Sequence, residues 1–435
     1  MKKKRRQPLR MGTARKLQRT LYRTAKQQPG RRFPYLYDKV YRKDVLDEAW
    51  RRVRENGGAA GVDQMDIGNV VEYGVERFLT EIQEELKTEI YRSNHVRRVH
   101  IPKPGQPGRT RPLGIPTVKD RVVQMAAKIV IEPLFEADFM PCSYGFRPER
   151  TPRMALNAMM TSFREGYHHV VDVDLKSYFD TIDHDLLMGF VERRVVDIRV
   201  LRLIRGWLKT GIIEEGKVEN PVRGTPQGGV ISPLLSNIFL HEVDRQWSGD
   251  HPAMVGVRLV RYADDMVLLA RTEQEAQKAW DLLKGQFGDL LLTVNEEKSK
   301  LTTTTEGFCF LGFEFRKRWR RVYMWPRQKA VTHVVERVSE VVRTTPLTNS
   351  LTEMVRKLNP ILIGWCTYFR VGNSNRVFHK VDWMVREKLQ IWMRRKHHIA
   401  WGKAKKTWDY HVLHDRYRLY RMVGKVSYLE AMCAR

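Results

Sequence analysis

The residues best suited to chemistry are Asp264 and Asp265, adjacent carboxylates within Arg261-Tyr262-Ala263-Asp264-Asp265-Met266-Val267-Leu268-Leu269. Apolar residues flank the pair, so it is expected in a tight turn between two strands at the edge of a core. Side chains alternate along a strand, so one Asp can face a site squarely while the other flanks it. Turns favour Asp on their own account, and an isolated Asp-Asp means little. The pair gains weight from Asp174, which ends a second apolar run, Val170-Val171-Asp172-Val173-Asp174. Three carboxylates on converging strands are hard oxygen donors of the kind that bind divalent cations. Two such cations stabilise the attacking and the leaving oxygens of a phosphoryl transfer.

Strands must hold these side chains, and the surrounding sequence predicts them. Residues 168–174 read as a short β-branched central strand. Val257 to Tyr262 and Met266 to Ala270 read as two strands joined by Ala263-Asp264-Asp265. Helices are expected over 41–55, about 70–90, 120–132, from 184, 231–247 and 272–287. Short strands are expected around 308–315 and 321–325. Val99 and Ile101 lead into Pro104-Gly105-Gln106-Pro107-Gly108, and Leu113-Gly114-Ile115 leads out, which is a hairpin signal. Beyond Pro326 come three helices, near 327–343, 351–371 and 376–400, and then a basic tail. The strand–helix alternation at the centre makes the class α+β.

The formal net charge is +28, from 78 Lys and Arg against 50 Asp and Glu. That excess calls for a polyanionic partner such as nucleic acid. The first acidic residue is Asp38, and the Lys/Arg-rich stretch before it reads as an RNA-binding arm, a nuclear or organellar address or a disordered tail, of which the arm is favoured. The cysteines, Cys142, Cys309, Cys366 and Cys433, are far apart and suggest neither a zinc pair nor a disulfide framework. His168-His169 and His397-His398 lack further ligands at metal spacing, so no zinc is assigned. No apolar run reaches transmembrane length, and no signal peptide opens the chain.

Tyr-Ala-Asp-Asp at 262–265 resembles the polymerase signature of reverse transcriptases. Asp174-Leu175-Lys176-Ser177-Tyr178-Phe179 resembles their first metal motif. Gly224-Thr225-Pro226-Gln227-Gly228-Gly229 resembles the segment under the templating base pair. Leu292 to Ser299 and Phe310-Leu311-Gly312-Phe313 are similar to the next block and the primer grip. Residues 56–63, Asn-Gly-Gly-Ala-Ala-Gly-Val-Asp, resemble the extra N-terminal block of group II intron enzymes. Ile101 to Pro104, Arg111 to Pro116 and Ser143 to Pro148 resemble their fingers, and Ile363 to Phe369 their maturase domain X.

The resemblance implies a right-hand polymerase fold of fingers and palm, followed by an all-α thumb/maturase domain. Its divisions would be a basic arm at 1–38, an N-terminal extension and fingers at 39–165, a palm at 166–325 and domain X at 326–400. A short basic tail at 401–435 would be a DNA-binding remnant. Asp174, Asp264 and Asp265 would be catalytic. With the backbone of Leu175 they would bind two Mg2+ ions, with Mn2+ as a substitute. Lys103 and Arg111 would clamp the incoming triphosphate and Gln227 would lie near the nascent pair. Phe179 would exclude the ribose 2′-hydroxyl. Lys298 is either a proton donor to pyrophosphate or a surface lysine. Implied partners are an RNA template, intron RNA, a DNA primer or target and dNTPs, in a bacterial cytoplasm rather than an organelle. The oligomeric state stays open, a dimer included. No His/Cys cluster follows domain X, so the endonuclease-lacking type is expected. Two alternatives remain: an RNA-splicing chaperone with secondary polymerase activity, and a free-standing or CRISPR-associated relative.

Overall fold

The computed structural model describes residues 12–102, 108, 110–214, 216–219, 221–247 and 256–433. The N-terminal helices are α1 (Thr13–Gln27), α2 (Tyr37–Val40), α3 (Lys43–Asn56), α4 (Ile67–Tyr73) and α5 (Val75–Lys87). The single helix expected over 70–90 is thus two, broken at Gly74, whose φ of 101° lies in the region that favours glycine. Next come β1 (Val96–Pro102), β2 (Thr110–Ile115), α6 (Val118–Glu136), α7 (Pro152–Arg164) and β3 (His169–Val173). They lead to α8 (Tyr178–Thr181), α9 (His184–Glu192), α10 (Ile198–Lys209), β4 (Ile212–Glu214), β5 (Lys217–Glu219) and α11 (Ser232–Trp247). The hairpin β6 (Val257–Tyr262) and β7 (Asp265–Ala270) follows, then α12 (Glu273–Asp289) and β8 (Lys300–Thr303). The three strands β9 (Phe308–Phe310), β10 (Phe313–Arg318) and β11 (Arg321–Pro326) precede α13 (Gln328–Thr344), α14 (Leu351–Phe369), α15 (Asn375–His397) and α16 (Trp401–Thr407).

Among the described residues, three sheets form, in the orders β2-β1-β4-β5, β6-β7-β3-β8 and β11-β10-β9. Strand β3 is interior, in keeping with its mostly apolar, β-branched run. Both faces of its sheet are covered, and alternation sends neighbouring residues to different cores. Val171, Val173, Leu259 and Leu268 join the core of the N-terminal helices, α6, α11 and α12. Val170, Val260, Val267 and Leu269 join the core of α7, β9–β11 and α13–α15. That second core runs unbroken across the 325/326 boundary expected between palm and helical module. Among the described residues, no helix is long and apolar enough to cross a membrane.

Helix α6 is buried on nearly every side and anchors three motifs by its polar groups. The Arg121 guanidinium donates to the carbonyls of Pro116 and Ala59, which pins the 56–63 segment. Gln124 Oε1 accepts from the Val230 amide at 2.9 Å. Asp120 accepts from the Tyr91 hydroxyl at 2.6 Å and from the Thr117 hydroxyl at 2.7 Å. These bonds offset the cost of burying the charges on α6.

The segments at both ends pack onto the rest of the chain. From Thr13 the basic arm is helix α1, packed on α6, with Ala14, Leu21 and Ala25 buried. Burying Leu21 contributes about 1.5–3 kcal/mol. Arg194 donates to the Gln28 and Arg31 carbonyls, and Lys26 to the Ala137 carbonyl at 2.8 Å. Residues 1–11 of the expected arm lie outside the described residues. At the other end, the tail is docked rather than separate. Ala404, Trp408, Leu413, Leu419, Met422 and Leu429 enter the second core. The Asp382 carboxylate accepts from the Met422 and Val423 amides.

Candidate active site

The register of β3 on β7 brings the aspartates together. Asp172 pairs with Val267 and Val173 with Met266. One step further sets Asp174 opposite Asp265, and antiparallel partners share a face. Asp172 lies two residues back on that same face. The same face buries Val170, Val267 and Leu269 toward the helical module. The carboxylates therefore sit at the end of the palm that looks toward α13 and α14.

Asp264 occupies the two-residue turn between Tyr262 and Asp265. Ala263 precedes it at φ 58°, a left-handed conformation that costs a non-glycine residue of order 1–3 kcal/mol. A buried network holds that strain. Arg261 is 0% exposed, and its guanidinium forms an ion pair with Asp244, which is also 0% exposed. It donates to Asn237 Oδ1 at 2.9 Å, to Ser143 Oγ at 2.8 Å and to the Ala263 carbonyl at 2.8 Å. Asn237 in turn donates to the Gly145 carbonyl at 2.8 Å. A Cβ on Gly145 would meet the Ala263 nitrogen at 2.2 Å, so only glycine admits this approach. The Ser-Tyr-Gly segment is thus part of the support under the Ala263-Asp264 turn.

Asp174 is held from the other side. Its amide donates to Ser299 Oγ at 3.0 Å, and its carbonyl accepts from the Asn295 amide at 2.8 Å. Leu175 is buried and bridges Val294. Lys298 Nζ lies 3.1 Å from Asp174 Oδ2, so this lysine touches a predicted ligand directly. The 292–299 block therefore acts as a splint for Asp174.

The electrostatics of the cluster are those of crowded like charges. Asp265 is open on its solvent side but packed beneath. Loss of water there, then the charges of Asp264 and Asp174, push its carboxyl up to about 6. Asp264 is raised chiefly by burial, with Asp174 adding and Arg111 and Arg261 opposing. Asp172 is pushed up to about 6, mainly by burial. Among the described residues, no three His, Cys, Asp or Glu side chains are drawn into a ready-made metal cluster. The carboxylates lie together, with Asp174 paired to Lys298.

Across the cleft, β1 and β2 form the expected hairpin, with Ile101 opposite Arg111. Arg111 Nε donates to Gln227 Oε1 at 2.7 Å, and the Gly114 amide to the Gln227 carbonyl at 2.6 Å. A Cβ on Gly228, whose φ is 113°, would meet the Gly114 carbonyl at 2.2 Å. Beside this junction lies a cleft of about 280 Å3, lined in part by Arg98, His100, Asp180 and Gln227. Phe179 is buried, and its carbonyl accepts from the Thr225 amide at 2.7 Å, tying it to the same loop. Lys103 lies outside the described residues.

Sequence reading missed the Arg261 network, and it missed Arg327 and Tyr368. Arg327, at the start of α13, opposes the upward push on Asp265 by its charge. Tyr368 of α14 donates to the Leu311 carbonyl at 3.0 Å and stacks on Phe313. The Gly-Trp-Cys-Thr-Tyr-Phe motif of the helical module therefore seats on the strand turn beside the aspartates. Only the tertiary fold brings these groups near Asp265, so no local pattern announces them.

Comparison with known proteins now bears on this geometry. Residues 101–315 match the family described as reverse transcriptase (RNA-dependent DNA polymerase). Residues 331–410 match the group II intron, maturase-specific domain. The chain is 35% identical to Protein YkfC of Escherichia coli over 341 residues, 70% of this chain and 89% of that one. It is 36% identical to the group II intron-encoded protein LtrA of Lactococcus lactis over 346 residues, 66% of this chain and 57% of LtrA. One chain of the solved "Partial Cas6-RT-Cas1--Cas2 complex" shares 23% identity at a TM-score of 0.34, over 58% of this chain and 41% of that one. At that score the likeness says nothing about assembly. By its sequence matches, this chain belongs to the group II intron reverse transcriptases that carry a maturase-specific domain.

Proposed function

We propose that the chain copies RNA into DNA at the cleft of Asp174, Asp264 and Asp265, and that its helical module grips intron RNA to promote splicing and retrohoming. The observation that carries the polymerase reading is the β3–β7 register, which sets Asp174 beside the Asp264-Asp265 turn. Reverse transcriptase domains use divalent metal ions. The donor set suits hard cations, since three carboxylates lie together and the charge of Asp174 helps raise Asp264 and Asp265. Asp174 and Asp264 would hold two Mg2+ ions, assisted by Asp265 and the Leu175 carbonyl, with Mn2+ as a substitute. When bound, the ions stabilise the charge on the attacking and departing oxygens.

The chain's own residues bind and orient. Arg111 presents a planar set of donors to a triphosphate, and Gln227 holds it in place across the cleft. Lys298 offsets the charge of Asp174 and stands within reach of a leaving group. Phe179, fixed through its backbone to Thr225, walls the sugar site. The setting this reading implies is a bacterial cytoplasm, with RNA template, DNA primer and dNTPs as partners.

Primer extension on an RNA template with Mg2+ tests the reading, and wild-type chain is expected to use dNTPs and reject rNTPs. Phe179→Val is expected to relax that preference by at least about tenfold to two-hundredfold, the discrimination that a single methylene provides in a close-fitting pocket. An unchanged ratio of kcat/KM for the two nucleotide types would remove Phe179 from the sugar site. RNA affinity should fall about 10³–10⁵-fold between 50 and 200 mM salt if six to ten phosphates are neutralised. A flat salt titration by fluorescence anisotropy would contradict a basic RNA groove.

A further inference from the structure

Strands β10 and β11 end in a two-residue turn of Trp319 and Arg320, closed by the pairing of Arg318 with Arg321. Trp319 is 97% exposed, at a φ of 58°. The outer face of this hairpin carries cations and rings toward its tip, with Glu314 opposite Trp325 at its base. Arg316 lies opposite Tyr323 and Arg318 opposite Arg321, and the Arg318 guanidinium sits over the Trp325 ring at 5.3 Å. Like charges directly opposite on a sheet oppose folding, and a bare tryptophan forgoes the stabilisation that burial would bring. Among the described residues, Arg316, Lys317, Arg318, Arg320 and Arg321 join no ion pair within the chain. Beside the tip lies a cleft of about 510 Å3, lined in part by Arg164, His168, Arg320, Arg321, Tyr323 and Tyr428.

The tip is remote from the aspartates. The Lys317 amide donates to the Thr304 carbonyl, and the Thr304 amide to the His168 carbonyl. His168 precedes β3, whereas Asp174 follows it, so about 20 Å of strand separates them.

We propose that the β10–β11 tip and its cleft form a second RNA-binding surface, distinct from the catalytic cleft, which takes an unpaired nucleotide of a structured RNA. Trp319 stacks on the base, and Arg318, Arg320 and Arg321 take the flanking phosphates. An exposed ring among guanidiniums fits a splayed base better than a duplex, because a paired base hides its face. The inference rests on the reading of this chain as an RNA-binding reverse transcriptase.

The test uses the full chain and two labelled RNAs of equal length, a hairpin with an unpaired loop and a blunt duplex, read by fluorescence anisotropy. Trp319→Ala should weaken looped RNA by about five- to 150-fold, the range for loss of one stacked base, and leave the duplex unchanged. Arg320→Gln with Arg321→Gln should lower the slope of log affinity against log salt by about 1.4–1.8. Extension of a short DNA primer on an unstructured RNA template should be unaffected by either variant. Unchanged affinity of Trp319→Ala for looped RNA, or equal loss on both RNAs, overturns the proposal. Weakened binding of polyglutamate without weakened RNA binding would give the surface to an acidic protein and overturn it too. Neither result depends on whether Asp264→Asn loses polymerase activity, so the two readings fail separately.

Discussion

Replacing Asp264 by Asn is expected to slow RNA-templated primer extension by about a thousandfold or more, a loss of about 4 kcal/mol of transition-state stabilisation. Asn keeps the volume of the side chain and fits the turn, so the change removes charge alone. Stability should not fall. The Asp264 carboxyl is raised by burial and by Asp174, so its ionised form is a net cost to the folded state near neutral pH. A group with a raised folded pKa destabilises the fold once it is ionised, and Asn lifts that cost. Thermal denaturation should therefore show a midpoint equal to or above that of the wild type. RNA affinity should be retained, because the basic surface is untouched. If splicing of a cognate intron survives in this variant while cDNA synthesis is lost, the two activities are separable.

The second large effect lies beneath the turn. Arg261→Met should destabilise the chain by about 3–5 kcal/mol, because Asp244 is left buried without its counter-charge. Asn237 and Ser143 lose a donor as well, and the Ala263 carbonyl is no longer held. The double variant Arg261→Met with Asp244→Leu should recover much of that stability, since no charge is then buried alone. It should not recover polymerase activity, because Ala263 still lacks the bond that offsets its left-handed strain. Chemical denaturation of the two variants, set beside primer-extension rates, separates support of the fold from placement of Asp264. Equal recovery of stability and activity in the double variant would reduce Arg261 to a core residue.

Much of the palm was legible because its strands are short apolar runs closed by carboxylates. Both β3 and the β6–β7 hairpin fall within a residue or two of where the sequence places them. Helices with a clear apolar stripe, such as α3 and α13, are equally legible. Helix α1 was not, because its stripe of Ala14, Leu21 and Ala25 is thin and surrounded by Lys and Arg. Charge density there pointed to an RNA-binding arm, and burial of Ala14, Leu21 and Ala25 docks its helix on the core. The strands β4 and β5 are three residues each, a length too short to carry a period, and β4 joins the sheet at the edge of β1. At the site, local motifs marked the carboxylates and the loop of Gln227. The Arg261 support and the approach of Arg327 and Tyr368 depend on long-range packing, which no spacing in the sequence encodes.

Three carboxylates, distant in sequence, share one end of the palm sheet. Anomalous scattering from Mn2+ in crystals of the full chain with primer, RNA template and an unreactive dNTP would test this most directly. Two peaks about 4 Å apart, both touching Asp174 and Asp264, are predicted, with both weakened in Asp264→Asn. Manganese bound elsewhere, or undiminished peaks in that variant, would contradict it.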